Sequence, residues 1–231
     1  MLIFQEIFRA IAEFFDMAVK FSPYFLKGAF NTLILSILAT VLGSALGLLL
    51  ALARINESKS ILWKIPKKLA GIYIEIIRGT PLMVQMLIVF SSFEGMERYT
   101  AGVIALSLNS AAYVAEIIRA GIQSIDKGQM EAARSLGMGV VLTYKEIILP
   151  QAIKNVLPAL GNEFIVLIKE TAIVSVVAIS DLMYSVGIVQ SIMFKPMPPL
   201  IMAMLIYLVM TMTLSKGMKG LERRFGRENE R

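Results

Sequence analysis

Long apolar runs limit the folds open to this chain of 231 residues more than any other feature. A helix needs roughly 20 consecutive apolar residues to cross the hydrocarbon core of a bilayer, and several runs of that length are present. Hydrophobic residues make up 57% of the chain and charged residues 17%, whereas soluble domains have about half and about a quarter. The sequence therefore predicts an all-α integral membrane protein, a helical bundle with about five transmembrane helices.

Three predicted spans are long and nearly free of charge, a fourth is interrupted by charged residues, and a fifth is short. Within the first, Ala39, Gly43 and Gly47 recur at four-residue steps, a pattern typical of close helix packing inside a chain or between subunits. Five crossings place the two termini on opposite sides of the membrane. The approximate bounds are Phe25 to Ala53, Leu69 to Phe90, Thr100 to Gln123, Val156 to Ile179 and Pro199 to Ser215.

The first 20 residues have the pattern of an amphipathic helix lying at the membrane surface. Polar residues recur there at three- and four-residue steps among apolar ones, as in interfacial helices. Acidic residues interrupt the segment and no basic flank precedes a clean apolar core, so no cleavable signal is expected. We therefore predict an interfacial helix at 1–20, a transmembrane domain at 21–217 and a basic tail at 218–231.

The distribution of lysine and arginine predicts the orientation, because loops on the cytoplasmic side are enriched in both. Sixteen of these residues fall on one side of the predicted spans and five on the other. This difference places the C-terminus and the loop from Gly121 to Asn155 in the cytoplasm, and the N-terminal helix outside. The net charge of +6 then reflects topology in the cytoplasmic (inner) membrane, and no nucleic-acid partner is expected.

The chain lacks the residues on which several classes of enzyme depend. The chain has no cysteine and no histidine, which removes thiol nucleophiles, the common zinc ligands and the usual proton shuttle. It also lacks the Gly-x-x-x-x-Gly-Lys-Ser/Thr loop that binds nucleotide phosphates. We therefore expect no catalytic residue, no metal and no cofactor in this chain.

The loop between the third and fourth spans is too polar to enter lipid, yet its residues favour helix. The helical pattern covers Gln129 to Leu136 and ends at Gly137, a residue that permits a left-handed turn. Ala132 and Ala133 give it a small face, and a second helical stretch leads to Pro150. Such a projecting helix is expected to dock against a partner.

At this loop the sequence resembles the inner-membrane permeases of binding-protein-dependent ABC importers. The motif consists of Glu131-Ala132-Ala133, Gly137 and Ile147-Ile-Leu-Pro150, and its spacing fits without gaps. Three further segments are similar to the polar amino-acid uptake branch, and the likeness covers about residues 20 to 215. One departure is the alanine at position 111 or 112, where relatives often have glycine. The segments are Tyr73-Ile-Glu-Ile-Ile-Arg-Gly-Thr-Pro-Leu82, Leu108-Asn-Ser-Ala-Ala-Tyr-Val-Ala-Glu116, and Asn162-Glu-Phe through Lys169-Glu-Thr171.

The resemblance implies a type I importer fold and a division of labour between subunits. The permease pairs with a second permease, identical or homologous, around one pathway. A coupling helix sits in a groove of a dimeric ABC ATPase, which binds ATP and Mg, and an extracytoplasmic solute-binding protein delivers the amino acid. The residues that the resemblance implies for coupling are Glu131, Ala132, Ala133, Gly137 and Pro150.

Polar residues inside the spans are candidates for a substrate pathway, because they are costly in lipid and usually face a bundle interior. On the third span they form one stripe of helical spacing. On the fourth span Glu170 follows Glu163 at seven residues, and Lys169 beside it suits either an ion pair or a gate. The candidates on these two spans are Asn109, Tyr113, Glu116, Gln123, Asn162 and Glu163.

The second span contains Gly79-Thr80-Pro81, which is expected to break the helix, with Thr80 available to cap the new one. Glu75 and Arg78 precede it at a spacing that allows an ion pair. A helix N-terminus at that depth attracts a carboxylate. Our hypothesis places the amino-acid carboxylate near Thr80 to Met83, and a cationic side chain at Glu163 with Asn109 or Tyr113. The alternative is a proline kink and hydrogen bonds that only pack helices.

The function predicted from these features is ATP-driven import of polar, basic L-amino acids by alternating access. An ion-coupled secondary transporter and a channel are the competing classes. Secondary transporters often show repeated halves and more spans, and a channel leaves the docking loop unexplained.

Overall fold

The computed structural model describes residues 2–55, 61–92 and 95–226, and all regular elements in these ranges are helical. A π-helical turn, Tyr144–Ile148, joins α7 to α8, and a 3₁₀ segment, Thr171–Val177, follows α8. The α-helices are α1 (Leu2–Lys20), α2 (Ser22–Ile55), α3 (Ile61–Arg78), α4 (Leu82–Ser92), α5 (Arg98–Gln123), α6 (Lys127–Ser135), α7 (Val140–Thr143), α8 (Leu149–Glu170), α9 (Leu182–Met193) and α10 (Met197–Gly226).

Three helices are long and apolar enough to cross a membrane: α2, α5 and the part of α10 from Met197 to Gly220. Two bent pairs also qualify as spans. In the first, α3 and α4 meet at 110°, and in the second, the helical stretch ending at Val177 meets α9 at 51°. The described residues thus supply up to five spans, which confirms the predicted all-α bundle of about five transmembrane helices.

The break between α3 and α4 lies where the sequence predicts it. Helix α3 ends at Arg78 and α4 begins at Leu82, because Pro81 has no amide hydrogen to continue the helix. The predicted cap is wrong in detail. The Thr80 hydroxyl donates backwards to the Ile76 carbonyl at 2.8 Å, so it satisfies the end of α3 and does not cap α4.

Helices α2 and α5 form the most extensive helix pair among the described elements. The small residues of α2 make this close approach possible. A Cβ at Gly43 would lie 2.8 Å from the Ser110 Cβ, and one at Gly47 would lie 2.7 Å from the Val114 Cβ. The predicted packing role of this strip is confirmed within the chain, since its glycines face α5 and Ala39 is fully buried in the core.

We expect Gly47→Ala to destabilise the bundle, although alanine is the better helix former. The added Cβ would lie 2.8 Å from the Ala111 carbonyl oxygen, and such overpacking costs about 1–3 kcal/mol. The matched control is Gly71→Ala in α3, where a Cβ meets nothing within 4 Å and a gain of roughly 0.5–1 kcal/mol is expected. Thermal unfolding in detergent checks the pair, and shifts of the same sign would contradict this packing.

The fourth predicted span is only partly right. The helical path is continuous from α8 through the 3₁₀ segment to Val177, and Ala178 then adopts a left-handed conformation with φ 58°. Helix α9 follows, starting after Asp181, whose side chain accepts a hydrogen bond from the Tyr184 amide at 2.8 Å. The sequence analysis assigned no span to this segment, whereas the structure makes it a helix packed against α2 and α10.

Helix α1 covers nearly the whole predicted N-terminal segment. One face carries Phe8, Phe15 and Val19, all exposed, while Met17 on the other face is buried against α9 and α10. The Lys195 ammonium, in the turn before α10, lies 2.5 Å from a Glu13 carboxylate oxygen. This contact holds the pKa of Glu13 below its usual range and ties α1 to the bundle. In the predicted basic tail, residues 227–231 lie outside the described ranges.

Candidate functional site

The polar stripe predicted on α5 begins at Asn109, whose side chain is 3% exposed. Its amide donates a hydrogen bond to the Gln85 Oε1 at 2.9 Å. Gln85 stands on α4, one turn beyond the break that ends α3. Asn109 therefore joins α5 to the short helix that the break creates.

Gln85 connects three parts of this region, and the sequence analysis missed it. Its amide nitrogen lies within hydrogen-bond distance of the Ile77 carbonyl (2.8 Å), the Thr80 carbonyl (3.1 Å) and the Thr80 hydroxyl (2.9 Å). It thus donates to carbonyls that α3 leaves without helical partners. The available signal was its position as a polar residue in an apolar helix just after a predicted break.

Replacing Gln85 with methionine keeps the shape of the side chain and removes both functional groups. The buried Asn109 amide and the carbonyls of the break then lose partners, which costs about 1–3 kcal/mol. The control is Gln190→Met, because the Gln190 amide donates to the exposed Pro196 carbonyl, and an exposed change costs within about 0.5 kcal/mol. Apparent melting temperatures in detergent distinguish the two, and equal losses would contradict the linking role of Gln85.

Tyr113, the next residue of the stripe, lies beneath Arg78. The Arg78 guanidinium carbon is 5.6 Å from the centre of the Tyr113 ring, within the range of a cation–π contact. The ion pair that the spacing of Glu75 and Arg78 allows does not form, since Arg78 turns towards α5 instead. Tyr73 adds a second link, because its hydroxyl donates to the Leu108 carbonyl at 2.7 Å.

Glu116 lies in an ion-pair cluster at the end of the same stripe. Its carboxylate is 3.5 Å from the Arg54 guanidinium on α2 and also contacts Arg119. Arg119 in turn donates to Gln123. This arrangement explains the lower half of the polar stripe by contacts within the chain, and it leaves Glu116 without free charge for a ligand.

Glu163 differs from Glu116 in having no such partner. Its residue is 8% exposed on α8, and within the described ranges it forms no hydrogen bond and no ion pair. The neighbouring Asn162 is exposed, so the two residues face different surroundings. Lys169 is also exposed and forms no ion pair with Glu170. A buried carboxylate without a partner is costly, which makes Glu163 the strongest ligand candidate among the predicted pathway residues.

The two ends of the predicted substrate site are separate in this chain. Thr80 and Met83 are exposed beside the break, Met83 at 46%. Gln85 and Asn109 link this break to α5, whereas no hydrogen bond or ion pair among the described residues links it to Glu163. Helix α5 packs on both α4 and α8, so it is the element that relates the two candidate positions.

The predicted docking helix is present as α6. Asp126 precedes it, and its carboxylate accepts from the Gly128 amide at 2.6 Å. At the other end Gly137 has φ +84°, with the Gly137 amide bonded to the Arg134 carbonyl at 3.0 Å and the Met138 amide to the Ala133 carbonyl at 3.1 Å. These two bonds form a Schellman motif, as the glycine predicts.

The two alanines of α6 face opposite ways. Ala133 is 2% exposed, whereas Ala132 and Glu131 are exposed. The predicted small face is therefore divided, with Ala133 packed on the protein and Ala132 available to a partner. Beyond the helix, Leu136 and Val141 are exposed at 83% and 82%.

The stretch leading to Pro150 is helical but does not end there. It passes through the π-helical turn Tyr144–Ile148 into α8, with the Leu149 amide bonded to the Tyr144 carbonyl. Pro150 lies in the first turn of α8, a position where proline is tolerated.

Comparisons with known proteins give the family. Residues 43–227 match the family described as "Binding-protein-dependent transport system inner membrane component". The chain is 40% identical over 215 residues to the arginine transport system permease protein ArtQ of Bacillus subtilis (strain 168), covering 91% of this chain and 96% of that protein. It is 42% identical over 212 residues to the probable glutamine ABC transporter permease protein GlnM of the same organism, covering 89% and 94%.

Solved structures agree with this assignment. A crystal structure of an amino acid ABC transporter with histidines contains a chain with a TM-score of 0.84 and 49% identity, covering 89% of this chain and 96% of that one. The MetNI methionine ABC transporter, in inward-facing form, shares the fold at a TM-score of 0.72 and 16% identity. With its bundle, its break and its projecting helix, the chain belongs to the family of inner membrane components of binding-protein-dependent transport systems and has the type I importer permease fold.

Proposed function

We propose that this chain is the membrane-spanning, non-catalytic subunit of an ATP-driven importer of polar, basic L-amino acids. The observation that carries the proposal is α6, a short capped helix outside the spans with exposed Glu131 and Ala132 and a glycine-dependent turn. ATP and Mg bind to a partner ATPase. Its closure moves α6 and shifts the permease between two shapes, which is sufficient for alternating access.

The surface around α6 supports an ATPase as the partner. The exposed Leu136 and Val141 lie beside the Schellman turn, and exposed apolar residues of this kind mark protein contacts. Two such helices, one from each permease of a pair, contact the two ATPase subunits. The second permease is identical or homologous, and a solute-binding protein delivers substrate on the opposite side.

The substrate class rests on the relatives and on Glu163. The named transport systems of the relatives are for arginine and glutamine, which supports a polar amino acid. A basic side chain is the natural partner for the buried Glu163 carboxylate. The exposed break near Thr80 and Met83 suits the substrate carboxylate, because helix N-termini attract negative charge.

The orientation follows from the same proposal. The side that bears α6 carries sixteen of the lysines and arginines outside the spans, against five on the other side. This places α6 and the C-terminus in the cytoplasm and α1 outside, along the membrane surface. The chain has no cysteine, so an Arg9→Cys variant carries a single one on α1. Labelling of this cysteine with a membrane-impermeant reagent in intact cells shows whether α1 lies outside.

Reconstitution tests the function. The chain is co-expressed with an ABC ATPase and a solute-binding protein of the same organism, and the purified complex is placed in liposomes. We expect ATP hydrolysis that rises with arginine-loaded binding protein, together with uptake of arginine. Uptake by the chain alone, driven by an ion gradient or running at full rate without ATP, would instead support a secondary transporter or a channel.

A further inference from the structure

A basic cavity lies where α6 folds back on the spans. It encloses about 870 Å³ between the ends of α2, α3 and α5 on one side and α6, α7 and the π-helical turn on the other. Of the described residues, five basic side chains line it, and the acidic ones in the lining are Asp126 and Glu131. The basic residues are Arg54, Lys67, Arg119, Lys127 and Arg134.

Among the described residues, basic side chains outnumber carboxylates around this cavity. Arg54 and Arg119 share the single carboxylate of Glu116. The other carboxylates are those of Asp126, which also accepts from the Gly128 amide, and Glu131, so five basic groups face three acidic ones. Arg134 donates to the Met138 carbonyl, which is neutral. The cavity therefore keeps an excess of positive charge and suits an anion.

The position of the cavity indicates which anion it binds. Arg54 is the residue before the last of α2, and Gln123 is the last of α5, so the cavity lies level with the ends of two helices that qualify as spans, where lipid headgroups are expected. Its lining also includes Ile55, Ile122 and Ile125. Apolar and cationic groups together suit an amphiphile better than a free ion, because the isoleucines offer apolar surface beside the charged groups.

The first half of α3 borders this cavity and has the composition of an interfacial segment. Trp63, Ile65 and Leu69 are exposed at 45%, 62% and 61%, and Lys64, Lys67 and Lys68 lie between them. Tryptophan and lysine concentrate at the boundary between membrane and water. This helix therefore brings the cavity to the membrane surface.

We propose that the cavity between α6 and the ends of α2, α3 and α5 binds the headgroup of an anionic phospholipid. Basic pockets between transmembrane helices are suited to such headgroups. The inference requires that the chain spans a membrane, and it does not depend on which solute is transported. Because α6 forms one wall, a bound headgroup also holds this helix against the spans.

Quenching of Trp63 tests the proposal directly. Trp63 is the only tryptophan of the chain and precedes Lys67 by one helical turn. The full-length chain is reconstituted in phosphatidylcholine vesicles with either brominated phosphatidylglycerol or brominated phosphatidylcholine. Each basic group near an anionic headgroup strengthens its binding by roughly fivefold. At a low mole fraction of brominated lipid, we therefore expect quenching to show a preference for phosphatidylglycerol of about tenfold or more.

Two double variants distinguish this cavity from general surface charge. Lys67→Gln/Lys127→Gln removes two basic groups of the lining. In this variant we expect the preference for phosphatidylglycerol over phosphatidylcholine to fall to about twofold or less. Lys216→Gln/Lys219→Gln removes the same charge from exposed positions of α10, outside the lining, and is expected to keep the preference. Unchanged quenching by brominated phosphatidylcholine shows that each variant is folded.

Three results would overturn the proposal. The wild-type chain could show no preference for phosphatidylglycerol, or both double variants could lose it equally, which indicates unspecific surface charge. The preference could also disappear with millimolar inorganic phosphate at constant ionic strength, which would identify a site for a soluble anion.

Discussion

Amino-acid uptake by a Gly137→Val variant is expected to fall by roughly 5- to 30-fold while the protein still inserts and folds. Gly137 has φ +84°, and a left-handed conformation costs a residue with a Cβ about 1–2 kcal/mol, a factor of 5–30 in population. A Cβ here meets nothing within 4 Å, so the effect arises from the backbone and not from a collision. The Schellman turn opens, and α6 loses its fixed direction.

Gly139→Val is the matched control two residues further on. Gly139 has φ −66° and ψ 153°, an extended conformation that suits valine, and its Cβ also meets nothing within 4 Å. We expect uptake within about twofold of wild type, because a compatible surface substitution changes stability by at most about 0.5 kcal/mol. Uptake and ATP hydrolysis are measured in the same proteoliposomes, where Gly137→Val retains hydrolysis without matching uptake. Normal uptake by Gly137→Val would contradict the role of this turn.

The features that the sequence predicts well are those that depend on neighbouring residues. Apolar runs, the Gly79-Thr80-Pro81 break and the Gly137 turn each follow from local backbone chemistry, and the structure confirms all three. The strip of Ala39, Gly43 and Gly47 also predicts close packing, since only small residues let two helices approach each other closely. Its partner, α5, was not evident, because small residues show that a neighbour is close and not which one it is.

Two of the features that the sequence analysis missed depend on residues far apart in the chain, and a third, α9, is local but short. Asn109 and Gln85 pair across 24 positions, and no spacing rule connects them. Helix α9 is only 12 residues long, too short to read as a span, although Asp181 before an apolar run is an N-cap signal. Glu116 and Glu163 look alike as acids inside spans, and only Arg54, 62 residues away from Glu116, separates their roles.

Glu163→Gln is expected to reduce transport of arginine and lysine far more than transport of a neutral amino acid. The change removes a negative charge and keeps the size of the side chain. A hydrogen bond to a charged group contributes about 1.5–3 kcal/mol, so the loss for a cationic substrate is roughly 10- to 100-fold. Each substrate is supplied at saturation on its binding protein, so that selection before the membrane does not hide selection within it.

The matched control for this experiment is Glu170→Gln, which removes the same charge seven residues further along α8, at a half-buried position. If Glu163 contacts the substrate, only Glu163→Gln changes the ratio of arginine to glutamine uptake. If Glu163 serves packing alone, its variant lowers both uptakes by the same factor, with a lower melting temperature. An unchanged ratio in a stable protein would show that the cationic group passes elsewhere, and the buried carboxylate of α8 would then need a partner from the second permease.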